Sequence, residues 1–135
     1  MVQLPKVQAL VLADHIYRDP NSGKLSILGI FNRLITRGLP KTFERTTFAY
    51  VCLTDLLGTV EVELRYRDLR TNEVLMQTVP LSVRSDDPLL SIEMVIEVAP
   101  FPMPHAGVYT FEVHTRNEML GSLRVLVESV EQGAK

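Results

Sequence analysis

From Val60 to Arg67 the chain alternates apolar and charged residues at every step, Val60-Glu61-Val62-Glu63-Leu64-Arg65-Tyr66-Arg67. This strict period of two constrains the fold more than any other feature. Successive side chains of an extended strand point to opposite faces, so Val60, Val62, Leu64 and Tyr66 share one face. Two glutamates and two arginines share the other. A helix would scatter the same charges around its circumference. The segment reads as a strand with one face in a core and the other in water.

The pattern recurs. Ser91 to Val98 turns Ile92, Met94, Ile96 and Val98 inward, and Val108 to His114 does the same with Tyr109, Phe111 and Val113. Leu120 to Glu128 follows as the hairpin partner of the latter, with Leu123, Val125 and Val127 inward. Lys6 to Arg18, Leu25 to Thr36, Thr46 to Leu53 and Val74 to Val83 are rich in β-branched and aromatic residues. Such runs at short, regular spacing predict an all-β domain of seven to nine strands.

The punctuation agrees with hairpins. Asp19-Pro20-Asn21-Ser22-Gly23 supplies a turn starter, a fixed φ and a left-handed position. Gly58 and Asn72 are the permissive residues of two further turns, and Thr115-Arg116-Asn117-Glu118 closes the last hairpin. Links this short join antiparallel neighbours, whereas parallel pairs need long crossovers, usually helical, and no amphipathic helix is apparent. The longest stretches without a strand pattern are Arg37 to Arg45 and Ala99 to Gly107, and either could cross between sheets. The expected architecture is a two-sheet antiparallel sandwich, immunoglobulin-like with Greek-key connections. One domain spans residues 1–135, with Val130 to Lys135 as a frayed tail.

A chain of 135 residues is long enough to bury one sizeable core, and a 46% hydrophobic content supports that without metals or disulfides. The net charge of −2 argues against a nucleic-acid partner, which demands a positive excess. The single cysteine, Cys52, forms no intrachain disulfide and suits a reducing compartment. The apolar stretch Ala9 to Ala13 is too short for a signal-peptide core or a membrane span. The expectation is a soluble, cytoplasmic protein with no membrane partner.

Two stretches carry a resemblance. Ala13-Asp14-His15-Ile16-Tyr17-Arg18-Asp19 with Ser22-Gly23-Lys24-Leu25-Ser26-Ile27-Leu28-Gly29-Ile30-Phe31 resembles the opening hairpin of a family of uncharacterised bacterial proteins. Ala106-Gly107-Val108-Tyr109-Thr110-Phe111-Glu112-Val113 is similar to the Gly-x-Tyr-x-Phe strand of bacterial immunoglobulin-like sandwiches. The resemblance implies the fold; it implies no activity, and no catalytic residue comes with it.

The reactive residues point to no catalytic constellation. Asp14, His15, Tyr17 and Arg18 form the densest cluster, yet alternation sends His15 and Tyr17 to one face and Asp14 and Arg18 to the other. His15, His105 and His114 lack metal-ligand spacing. Cys52, among Phe48, Tyr50 and Val51, reads as an inert core thiol. Ser85-Asp86-Asp87 reads as a solvated turn rather than a calcium loop. No cofactor is expected.

Two segments remain as binding candidates. Arg33, Arg37, Lys41 and Arg45 recur every four residues and could form a patch for an anion or an acidic partner, against the plainer reading of a solvated surface. In Ala99-Pro100-Phe101-Pro102-Met103-Pro104-His105 the prolines enforce an extended path. Phe101 and Met103 are there either plugs over the end of the sandwich or, with His105, a partner contact. The leading functional expectation is a non-catalytic module for protein interaction or self-association, with a protein partner or a second copy. The second is a small-molecule or carbohydrate-binding domain, or a weakly marked enzyme, with a cleft gathering His15, Tyr17, His105 or His114.

Overall fold

The computed structural model describes residues 3–130. The expected tail beyond Val130 lies outside the described residues; Val130 itself donates its N–H to the Thr36 carbonyl. The described chain is all β, with no helix. Its strands are β1 (Lys6–Arg18), β2 (Leu25–Phe31), β3 (Arg33–Thr36), β4 (Lys41–Phe43), β5 (Thr47–Thr54) and β6 (Gly58–Asp68). They continue as β7 (Glu73–Gln77), β8 (Leu81–Ser85), β9 (Ile92–Val98), β10 (Phe101–Met103), β11 (Gly107–Thr115) and β12 (Glu118–Ser129).

Twelve strands therefore replace the seven to nine expected, and each addition has a physical reason. The run Leu25 to Thr36 breaks at Asn32, because β2 pairs with β1 while β3 leaves for the other sheet and pairs with β12. The run Val74 to Val83 breaks before Pro80, which lacks a ladder donor. There β7 lies on the second half of β6 and β8 on the first half. Thr78 bridges the break: its hydroxyl accepts the Leu64 N–H at 2.9 Å, and its own N–H donates to the Leu64 carbonyl. Finally, the two stretches without a strand pattern contain β4 and β10, which pair with each other, Phe101 opposite Phe43 and Met103 opposite Lys41.

The strands form a four-stranded sheet in the order β2-β1-β5-β9 and a larger one in the order β3-β12-β11-β6-β7, with β8 also on β6. All pairings are antiparallel except β3 with β12, where Leu34 lies beside Val127. This parallel pair corrects the all-antiparallel expectation. It needs no helical crossover, because the rest of the molecule separates the two strands in sequence.

The inward rows follow the alternation. Val60, Val62, Leu64 and Tyr66 of β6, and Tyr109, Phe111 and Val113 of β11, are buried. From the smaller sheet come Leu12, Ala49, Val51, Leu53, Ile96 and Val98, and both sets join one hydrophobic core. Turn chemistry holds as expected: Gly23, Gly58 and Asn72 have positive φ. Arg116 and Asn117 both do so in the two-residue β11–β12 loop, whose handedness matches the strand twist.

Candidate functional site

The proline-alternating segment is built inward. In β10 Pro102 falls on one side of the extended chain, and Phe101 and Met103 on the other are 0% and 2% exposed. Phe101 lies between the Phe43, Tyr66 and Phe111 rings, with centroids 4.7 to 5.3 Å away. These are distances at which aromatic packing adds to simple burial. Of the two roles open to Phe101 and Met103, the plug is the one observed. Neither side chain offers surface to a partner.

His105 is turned inward as well. Its Nε2 lies 2.6 Å from Asp68 Oδ2 and its Nδ1 2.7 Å from the Ala106 carbonyl oxygen. Its N–H donates to the Tyr109 hydroxyl, which in turn donates to the His105 carbonyl. Burial pushes the Asp68 carboxyl up, but hydrogen bonds from His105 and from the backbone of Arg70 and Thr71 outweigh it and hold it below its ordinary value. The three residues latch the β10–β11 turn onto β6, so the expected contact at His105 gives way to a structural role.

The other reactive groups stay dispersed. His15 and Tyr17 stack on the outer face of β1, their rings 5.8 Å apart. Asp14 points the other way, 3.3 Å from Arg45 and against Gly29, where a Cβ would come within 2.5 Å of its carboxylate. Arg18 donates to the Gly23 carbonyl. Cys52 is buried, its thiol 3.4 Å from Gln8 Oε1. Asp86 pairs with Arg84, and Asp87 caps its own turn. Among the described residues no three metal-binding side chains converge.

One polar network was not legible in the sequence. On the outer face of the larger sheet, Thr110, Glu112 and His114 are each 5% exposed. The Glu112 carboxylate accepts from Arg67 Nε, from the Thr110 hydroxyl at 2.8 Å and from His114 Nε2 at 2.8 Å. Burial alone would raise the Glu112 carboxyl, and these three donors bring it below its ordinary value. The pairing of an acid with an imidazole has the composition of a general-base dyad, but burial keeps a substrate from reaching it. Alternation placed these residues outside. What it could not show is that Arg65 and Arg67 of β6 lie opposite Glu112 and Thr110 and that Arg67 reaches across to Glu112.

Beside this network, Arg65 donates to Glu63 at 2.6 Å and to the Asn117 side chain at 3.0 Å. These three, with Glu61, Ser82 and Arg116, border an open cleft of about 440 Å³.

The basic segment is partly gathered. Arg33 is spent on Glu128, and Arg45 lies beside Asp14 and 5.3 Å over the Phe43 ring. Arg37 and Lys41 make no ion pair among the described residues and border two adjoining clefts of about 470 and 250 Å³, Lys41 lining both. None of His15, Tyr17, His105 or His114 lines any of these three clefts.

The remaining exposed feature is the four-stranded sheet. Its outward row carries Tyr17, Leu28, Ile30 and Val95, which are 54%, 50%, 62% and 40% exposed, with half-buried Val11, Phe48 and Tyr50 between them. The register puts Ile30 beside Ala13, Leu28 beside His15 and Val95 beside Tyr50, so this is one apolar face. Its margin at β9 bears Glu93, which accepts from the Tyr50 hydroxyl, and Glu97.

The opposite margin, β2, has the sequence Leu-Ser-Ile-Leu-Gly-Ile-Phe with neither charge nor proline. Every other sheet margin carries a safeguard against pairing: Glu93 and Glu97 in β9, Arg33 in the four-residue β3, Glu73 in β7, Arg84 in β8. Gly29 is left-handed at φ 74°, and the ladder with β1 skips the Asp14–Gly29 pair but keeps one register from Leu12–Phe31 to Arg18–Leu25. In sequence an uncharged strand reads as a central one, and only the topology reveals this one as an edge.

These features define an all-β protein of several sheets whose reactive groups are tied into its own framework. The family model of DUF6941, described as a family of unknown function, matches residues 8–128, and the chain belongs to that family. No match is found among curated proteins. Among the described residues no helix is long and apolar enough to cross a membrane.

Proposed function

We propose that this protein is a non-catalytic interaction module that assembles with a second copy of itself through β2. The observation that carries the reading is the uncharged, proline-free edge of β2, with Leu28 and Ile30 exposed beside it. An edge strand presents a row of unpaired N–H and C=O groups, and a second strand satisfies them. Antiparallel pairing about a two-fold axis at Leu28 is the register that engages all seven residues. It sets Leu25 opposite Phe31, Ser26 opposite Ile30 and Ile27 opposite Gly29 of the second copy. The bulky Ile27 then meets the one residue without a side chain. The result is a continuous eight-stranded sheet whose apolar outer faces adjoin.

We read the framework behind this edge as an immunoglobulin-like sandwich. The reading is supported by the single core shared by both sheets and by the passage of the chain from the smaller sheet to the larger between β5 and β6.

The test is light scattering coupled to gel filtration over about 1 to 100 µM, which reads dissociation free energies of roughly 5 to 8 kcal/mol. The wild type runs as a dimer within this range, and Leu28→Lys with Ile30→Lys runs as a folded monomer. A wild type that stays monomeric throughout, or a double variant that still dimerises, overturns the proposal.

A further inference from the structure

The two adjoining clefts beside β3 and β4 combine cations and a hydroxyl that have no partner among the described residues with apolar side chains. Both are lined by Ile35, Thr36 and Lys41. The outer one, about 470 Å³, adds Arg37 and Val130, and the inner one, about 250 Å³, adds Leu34, Phe43 and Met103 together with Thr42, Glu44 and Arg45. The charges do not cancel within this space. Arg45 lies beside Asp14 and Arg33 is paired with Glu128, so Arg37 and Lys41 face one lining carboxylate, Glu44. Neither cation has an ion-pair partner among the described residues.

Thr36 supplies the second observation. Its hydroxyl oxygen is buried and has no hydrogen-bond partner among the described residues. A buried polar atom left unpaired costs about 1 to 3 kcal/mol, and a group that accepted this hydroxyl proton would recover that loss. An oxyanion is such an acceptor, and the cations beside it strengthen the bond.

We propose that these clefts bind a small amphipathic oxyanion, a phosphate monoester on a ring-sized apolar body. The phosphate sits between Arg37 and Lys41 and accepts from Thr36, and the apolar body lies inward against Ile35 and Phe43. The size fits: an apolar cavity of about 150 Å³ holds a benzene ring, and the inner cleft is larger. Polar and apolar residues line both spaces, as an amphipathic ligand requires. No β2 residue lines either cleft, and the site does not depend on the proposed assembly.

Phenyl phosphate is the probe, titrated by calorimetry at low salt against the wild type and against Arg37→Ala with Lys41→Ala. Both substitutions lie at exposed positions outside the core, and circular dichroism checks that the variant is folded. The expected result is saturable binding of phenyl phosphate, at least tenfold weaker binding of inorganic phosphate, and at least a tenfold loss of phenyl phosphate affinity in the double variant. No binding to the folded wild type, or equal affinity in the variant, overturns the proposal. Equal affinity for inorganic phosphate and phenyl phosphate overturns the apolar half of the site, and with it the ligand class.

Discussion

The outer faces of the two sheets solve the same problem in opposite ways. On the larger sheet, Arg67, Thr110 and His114 converge on Glu112, and Arg65 on Glu63, so polar side chains cover one another and bury themselves without a second layer of backbone. On the smaller sheet, Tyr17, Leu28, Ile30 and Val95 remain 40% to 62% exposed. One face is complete within the chain; the other is the face that the proposed assembly would extend. The comparison shows that outward-facing charge need not mean solvated charge, and that an outward apolar row is the more informative sign of an unfinished contact.

The contrast can be broken most forcefully at Glu112. Replacing it by Gln leaves Arg67 without its carboxylate on a largely buried network, and such losses cost about 3 kcal/mol or more. Urea unfolding measures the cost, and a loss under about 1 kcal/mol would place this face among ordinary solvated surfaces.

Acid provides the next test. The Asp68 and Glu112 carboxyls are held below their ordinary values, so each stabilises the fold above its unfolded-state value, near pH 4, and that contribution is lost as pH falls through the folded-state value. Wild-type stability should decline between about pH 5 and pH 2. Asp68→Asn with Glu112→Gln should be less stable at neutral pH and show a flatter acid limb; an unchanged slope would show that other groups govern it.

A smaller effect of opposite sign is expected on the inner side of the same β6 strand. The Tyr66 hydroxyl is buried without a partner, and burial pushes its phenol above the ordinary value, with Tyr109 and Asp68 adding to the shift. Tyr66→Phe removes the unpaired group and keeps the ring, so thermal unfolding should show no loss and a gain of up to about 1 kcal/mol. A clear loss would mean that the hydroxyl has a partner, such as a bound water.

The smallest stability effect belongs to the other face. Leu28→Lys with Ile30→Lys should change unfolding of the monomer by no more than about 0.5 kcal/mol, measured at concentrations where the wild type is dissociated. A larger loss would mean that these residues support the fold of the single chain.

How much of this could be read from the residues depends on which interactions have a period. The inward rows of β6, β9 and β11 were legible because burial on one face imposes alternation, and the turns at Gly23, Gly58 and Asn72 because left-handed backbone selects few residues. The break at Pro80 and the pairing of β4 with β10 were not, since Phe43 and Phe101 meet across the fold and nothing local marks the encounter. The basic segment is recognisable as charge, but its spacing of four does not tell that Arg33 and Arg45 are matched elsewhere while Arg37 and Lys41 have no ion pair among the described residues. Similarly, the residues of β2 announce a strand, and only its single neighbour makes it an edge.

The parallel pair of β3 with β12 bears on how the molecule is made. A ribosome delivers Arg33 to Thr36 about ninety residues before their register partners Leu126 to Ser129. Until then Leu34, 7% exposed in the finished fold, has no cover on that side, and the run from Leu25 to Phe31 just ahead of it offers an open edge. Pairings so distant in sequence are slow to form, and apolar segments left waiting are where newly made chains stick to one another. Leu25 to Thr36 is therefore the stretch of this chain that a cell's chaperones have most reason to hold during synthesis.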